Sequence, residues 1–215
     1  MQSRGFVVSH TFELLVVRHG RTAWNAAGRF QGHSDVPLDD EGRAQARGVA
    51  GLLHGEALTR AVASDLQRAS ETAAIVLAGR SVPIETDPRW REMRFGAWEG
   101  LVWNEIVARQ PELANASATT PKFYTPQGGE SFDELCERIG DALADVDARA
   151  SDGDRILVAT HAGPLHALLR VALGADEADA LNVKFSPASV TRIALGPAGA
   201  SIVELNATAT AATRA

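Results

Sequence analysis

The 215-residue chain is 45% hydrophobic with a net charge of −6, a make-up that suits one α/β domain with a full core. It has no basic run, so neither nucleic acid nor an anionic membrane surface is expected as a partner, and no stretch approaches the ~20 apolar residues of a membrane span. The one cysteine, Cys136, excludes an internal disulfide and fits a reducing, cytoplasmic setting.

In chain order, residues 1–11 read as an N-terminal extension and 12–17 as an apolar strand that stops at Arg18-His19-Gly20. Gly20 removes a Cβ that would block close approach to the backbone there. Residues 20–37 read as a loop. Asp39 can cap a helix over 40–54 with Ala46, Val49, Ala50 and Leu53 on one face. A short strand over 60–64 leads into a helix from Leu66, whose inward residues are Leu66, Ala69, Ala73, Val76 and Leu77, with Gly79 as its stop. Residues 82–86 form a third strand, followed by a loop holding Arg89, Arg91, Glu92, Arg94 and Gly96, and then a helix over 101–109. Residues 110–130, with Asn115, Ser117 and Gly128-Gly129, form an excursion rather than a linker.

Ser131 and Glu134 have capping-box spacing ahead of a helix to residue 149 with a stripe of Phe132, Leu135, Ile139, Leu143 and Val146. Cys136 falls within this apolar helix and reads as a small core residue. A second apolar run, 156–160, ends at His161-Ala162-Gly163, and Pro164 opens the next helix. Strands over 190–195 and 201–205 close a single domain, 12–206, and the tail 207–215 is expected to be disordered. Alternating strands and helices imply a three-layer α/β/α sandwich with a mostly parallel central sheet and an antiparallel edge strand.

Two strands that each deliver a histidine to the C-terminal edge of a sheet suggest one site with two imidazoles. Attack on phosphorus by an imidazole needs a neutral ring nitrogen, cations for the phosphoryl oxygens, an acid for the leaving alkoxide, and then water. The chain offers His19 as nucleophile and Arg18 as an oxygen clamp. Arg68 lies in the first turn of a helix, where anions are already favoured. His161 can donate to the phosphoryl group when protonated, and Glu92 is the best carboxylate for the acid. Glu99, and salt-bridging of Glu92 to Arg89 or Arg94, are the competing readings. Most of the fixed cations are arginines, Lys122 and Lys184 excepted, and the planar guanidinium fork suits phosphate or carboxylate.

The run Arg18-His19-Gly20-Arg21-Thr22-Ala23-Trp24-Asn25 resembles the signature of the histidine phosphatase superfamily, the phosphoglycerate mutase-like family. The resemblance continues through Phe30-Gln31-Gly32-His33, the segment Ser64 to Arg68, Glu92 with Phe95-Gly96 and Trp98-Glu99-Gly100, Gly128-Gly129-Glu130-Ser131, and His161. It implies that His19 becomes a phosphohistidine and that Glu92 donates a proton and then activates water. It also implies that Asn25, Gln31 and Gly32 help line the phosphate pocket, with Ala162 beside His161, and that no metal or other cofactor is needed. Ala162 stands where many members carry glycine, and His166 where many carry arginine, which leaves a supporting cation in question.

The expected activity is hydrolysis of a small phosphorylated metabolite. A sugar phosphate, phosphoserine, a phosphoglycerate derivative and α-ribazole phosphate all satisfy it. A cofactor-dependent phosphoglycerate mutase is the alternative, disfavoured because residues 101–130 carry only Arg109 and Lys122 as cations. A non-catalytic phosphate-binding regulator is the second alternative. Oligomeric state is left open, a dimer being compatible. Trp24, Trp98 and Trp103 read as packing, His10 and His54 as solvated, and His33 has no evident role.

Overall fold

A computed structural model gives the structure of the protein and describes residues 6, 8–113 and 124–209. The strand β1 (Phe12–Arg18) leads into a short helix α1 (Ala23–Ala26), then α2 (Asp40–Leu52), β2 (Arg60–Ala63), α3 (Gln67–Val76) and β3 (Ile84–Thr86). Two 3-10 turns follow, and then α4 (Trp103–Arg109), α5 (Phe132–Ala148), β4 (Arg155–Thr160), α6 (Ala162–Leu173), α7 (Glu177–Asn182), β5 (Val190–Gly196) and β6 (Gly199–Ala207). The sheet order is β3-β2-β4-β1-β5-β6. The first four strands of that order run parallel, while β5 and β6 form an antiparallel hairpin on one side.

Alternation along β1 explains the layers. Leu14 and Val16 pack with the stripe Phe132, Leu135, Ile139, Leu143 and Val146 of α5 and with α6. Leu15 and Val17 face the opposite way, against Val49 and Leu53 of the α2 end and Ala73 and Val76 of α3. The sheet is thus covered on both faces. The caps are local. Asp39 accepts from the Gly42 N–H at 2.7 Å, Ser131 and Glu134 form the reciprocal box at the head of α5, and Gly174 ends α6 in the left-handed region.

Several boundaries differ from the sequence reading. The loop after β1 contains α1, because Thr22 and Asn25 satisfy each other's backbone in a capping box. Strand β3 is two residues shorter than expected, α6 begins two residues ahead of Pro164, and β6 runs on to Ala207. In the expected extension, Val8 is buried and the Ser9 and His10 N–H groups donate to the Asp147 carboxylate. His10 Nδ1 also lies 3.1 Å from the Asp147 carbonyl oxygen, whereas His54 is exposed. Asn115, Ser117, Lys122 and residues 210–215 lie outside the described residues.

Candidate active site

The central pair of strands brings the two histidines together. Arg18 pairs with Thr160 in register, and the His19 N–H continues the ladder to the Thr160 carbonyl at 2.8 Å. His19 and His161 therefore leave adjacent strand ends, with ring centroids 5.0 Å apart. A cavity of roughly 200 Å3 opens at this edge, lined by Arg18, His19, Asn25, Gly28, Arg29, Phe30, Gln31, Arg68, Glu92 and Phe95. His161 is buried behind His19, while Gly32 and Ala162 do not line the cavity.

Hydrogen bonding assigns the tautomers. His19 Nδ1 lies 2.7 Å from the Gly20 carbonyl, which can only accept, so Nδ1 carries the hydrogen and Nε2 keeps its lone pair. Burial, with the Arg68 and Arg18 guanidiniums beside it, holds His19 well below the ordinary imidazole range and outweighs the Gly20 hydrogen bond. His161 Nδ1 accepts from Arg68 Nε at 3.2 Å, and its Nε2–H donates to Ser64 Oγ at 2.9 Å. Burial and Arg68 lower the His161 pKa strongly as well. In the free protein His161 is thus a neutral ring with both nitrogens engaged. A phosphoryl dianion against it would reverse the sign of the local field.

Both arginines are anchored through backbone carbonyls. Arg68, fully buried, donates Nη1 to Ser34 O at 2.8 Å and Nη2 to Gly32 O at 2.7 Å. Burial lowers its pKa to about 10, so it stays charged at neutral pH. Arg18 donates Nη1 to the Phe185 carbonyl, and its Nε is buried with no hydrogen-bond partner among the described residues. An orphaned guanidinium donor on a cavity is an anion-binding feature. Asn25 Oδ1 and Gln31 Oε1 both face the Thr22 hydroxyl, at 3.1 and 3.0 Å, which turns their amide nitrogens toward donor roles.

Glu92 is the carboxylate on this cavity. Its Oε1 accepts from the Met93 and Gly163 N–H groups, both at 2.8 Å; a Cβ on Gly163 would stand 2.3 Å from that oxygen. The competing readings find other partners. Glu99 accepts from the N–H groups of His33 and Ser34, and Arg89 pairs with Asp87 and Asp145. Gly32, with φ +54°, acts at one remove: its carbonyl holds Arg68, and a Cβ there would meet Glu99. Ala162 is the first residue of α6. Gly20 serves packing, since its Cβ would stand 2.4 Å from the Gly42 carbonyl of α2.

His166 is no substitute cation. Its Nε2–H donates to Val183 O at 2.9 Å, its ring packs on Phe185 at 5.1 Å, and burial lowers its pKa. The aromatic rings of Trp98 and Trp103 pack on each other and on Phe30. Sequence reasoning assigns no role to Ser64, Thr22 or Phe185. Ser64 follows a strand end as the histidines do, and Thr22-x-x-Asn25 has cap spacing. The Phe185 carbonyl has no sequence signal.

This fold and this edge define the class of protein. The family model for the histidine phosphatase superfamily (branch 1) matches residues 14–208, and the chain belongs to that family. It is a phosphatase of the histidine phosphatase type, a hydrolase of small phosphate monoesters. A metal-independent phosphoserine phosphatase of Arabidopsis thaliana is 39% identical over 82% of this chain and 75% of its own length. Phosphoglycerate mutase-like protein 4 of the same plant is 42% identical over 73% of this chain and 69% of its own. A mycobacterial glucosyl-3-phosphoglycerate phosphatase, solved with VO3, superposes with a TM-score of 0.81 at 27% identity, covering 91% of this chain and 99% of that one.

Proposed function

We propose that the protein hydrolyses its phosphomonoester through a phosphohistidine on His19 Nε2, without a metal. The observation that carries this is the Nδ1–H of His19 committed to Gly20 O, beside the charged Arg68 and an Arg18 Nε that has no partner among the described residues. In the first step the Nε2 lone pair forms a bond to phosphorus as the ester P–O bond breaks, and the Glu92 carboxyl gives its proton to the departing alkoxide. Arg18, Arg68 and the amide groups of Asn25 and Gln31 take the phosphoryl oxygens, and His161, protonated at Nδ1 as the dianion raises its proton affinity, gives up its Arg68 Nε contact and donates to a phosphoryl oxygen. In the second step the Glu92 carboxylate takes a proton from water, the resulting hydroxide bonds to phosphorus, and the P–N bond breaks. Inorganic phosphate leaves with Glu92 protonated again.

Among the described residues no group of three His, Cys, Asp or Glu side chains could hold a metal ion, and the cation pair Arg18 and Arg68 would repel one. Cytoplasmic residence belongs to the same proposal and rests on the single cysteine. The test is phosphate release from p-nitrophenyl phosphate and a panel of metabolite esters, with and without EDTA. His19→Ala should abolish turnover while the circular dichroism spectrum stays unchanged, and a phosphorus resonance of an N-phosphoryl adduct should be trapped in the parent. Isomerisation of 3-phosphoglycerate faster than release of phosphate from any ester would favour the mutase. Loss of activity in EDTA with rescue by zinc or magnesium would overturn the metal-free route. An unchanged rate in His19→Ala would assign the pocket to binding alone.

A further inference from the structure

The backbone around Glu92 is held by a side chain that takes no part in the catalytic steps. Arg138, on α5, donates Nη1 to the carbonyls of Arg89 at 2.5 Å and Arg91 at 2.9 Å, and Nη2 to the Glu92 carbonyl at 2.9 Å. The same guanidinium makes a two-point pair with Glu130, Nε to Oε1 at 2.9 Å and Nη2 to Oε2 at 3.0 Å. Glu130 is buried; its Oε2 also accepts from the Arg94 N–H, and its own N–H donates to Arg94 O. The turn before it can approach this closely because a Cβ on Gly129 would stand 2.7 Å from the Arg94 carbonyl. The Gly128-Gly129-Glu130 turn thereby delivers Glu130 to Arg138 under the loop that carries Glu92.

The Glu92 carbonyl receives a second donor, His33 Nε2–H at 3.0 Å. His33 sits between Gly32 and Ser34, whose carbonyls hold Arg68. Its backbone N–H is fixed on Glu99. One imidazole therefore joins the loop that anchors the phosphoryl cation to the loop that carries the acid.

We infer that Arg138 and His33 are positioning residues for Glu92, setting where its carboxyl meets the leaving oxygen through the shared Glu92 carbonyl. Neither touches the reacting atoms. The inference rests on the reading of Glu92 as general acid. An acid matters in proportion to how poor the leaving group is, so mispositioning Glu92 should leave a signature that simple loss of stability does not.

The experiment compares kcat/KM, which reports formation of the phosphohistidine and not its later hydrolysis by the Glu92-activated water, for an alkyl ester, glycerol 2-phosphate, and for p-nitrophenyl phosphate in Arg138→Met, Glu92→Gln and the double variant. For Arg138→Met the alkyl-ester kcat/KM should fall roughly 10- to 100-fold, as expected for displacement of a reacting group by about 1 Å. The aryl-ester kcat/KM should stay within about threefold of the parent, because its leaving group needs little protonation. Arg138→Lys should recover part of the loss, and the double variant should be no slower than Glu92→Gln. Should Arg138→Met fail to fold, His33→Phe should show the same selective loss and His33→Gln, which restores an N–H, should reverse it. Equal losses on the two esters in Arg138→Met, or multiplied losses in the double variant, would overturn the inference while leaving a selective Glu92→Gln intact. Equal losses in Glu92→Gln itself would remove the acid assignment and the positioning role with it.

Discussion

Acidification from pH 7.5 to 5.5 should weaken the free protein in a way traceable to His19 and His161. Both rings are neutral in the fold, held there by burial and by the neighbouring arginines, and both gain a proton near pH 6.5 once the chain unfolds. The unfolded state then binds more protons than the native one, so stability drops as pH falls below the unfolded value. At pH 5.5, one unit below it, each ring costs about 1.4 kcal/mol, and the pair about 3 kcal/mol. With a urea slope of about 3 kcal/mol/M, the midpoint should move down by about 1 M over this interval. The control is His19→Asn with His161→Gln, chosen so that Asn keeps a donor for Gly20 O and Gln keeps one for Ser64. His33 and His166, also lowered by burial, are present in both proteins and cancel. If parent and double variant lose the same stability between pH 7.5 and 5.5, the neutral buried pair is refuted.

Gly163→Ala should fold, since the new methyl's one contact below 3 Å is with the far end of the Glu92 side chain, and Leu135 Cδ2 and Met93 Cβ, each at 3.3 Å, need to yield only a little. Its kcat on alkyl esters should drop by about 10²-fold as the carboxyl moves, measured beside p-nitrophenyl phosphate. Arg68→Lys should lower kcat by roughly 10²–10³, because one ammonium cannot hold both Gly32 O and Ser34 O and still serve the transition state; phosphate inhibition should weaken in parallel. Glu56 is held below the usual carboxylate range, chiefly by its Arg192 hydrogen bond. Its contribution is present above the unfolded carboxylate pKa and disappears as pH falls through the folded one. Glu56→Gln should therefore cost about 2 kcal/mol at pH 7 and progressively less below about pH 4.3, read from urea midpoints.

Much of this architecture is written in periodicities. The two apolar runs that lead to His19 and His161 are continuous, as strands covered on both faces require, and the stripe from Phe132 to Val146 marks the helix that covers one face. The site is readable only where side chains carry the chemistry. Arg18, His19, Arg68 and Glu92 each bring a charge or a nucleophile that the reaction requires, and all four meet on one cavity. What holds them is mostly backbone: the carbonyls of Gly20, Gly32, Ser34 and Phe185. Any residue type can supply a carbonyl, so these partners leave no trace in composition or spacing. Gly20 misleads for a related reason. Its missing Cβ admits a helix carbonyl rather than a ligand. The state of His161 depends on a neighbour 93 positions away in sequence, which no local pattern encodes.

Elsewhere in the molecule arginines are matched to carboxylates, as Arg91 is to Asp65 and Arg192 to Glu56. Arg18, at the end of β1, and Arg68, at the head of α3, grip neutral oxygens, which orient a guanidinium without cancelling its charge. Two positive charges thus stand in one desolvated basin, their mutual repulsion softened by those dipoles and by the field of nearby carboxylates, Glu92 first among them. An incoming dianion relieves that tension, so ligand capture and native-state cohesion are thermodynamically linked. Orthophosphate alone should raise the melting temperature, and a neutral alcohol product, carrying nothing for either cation to hold, departs freely.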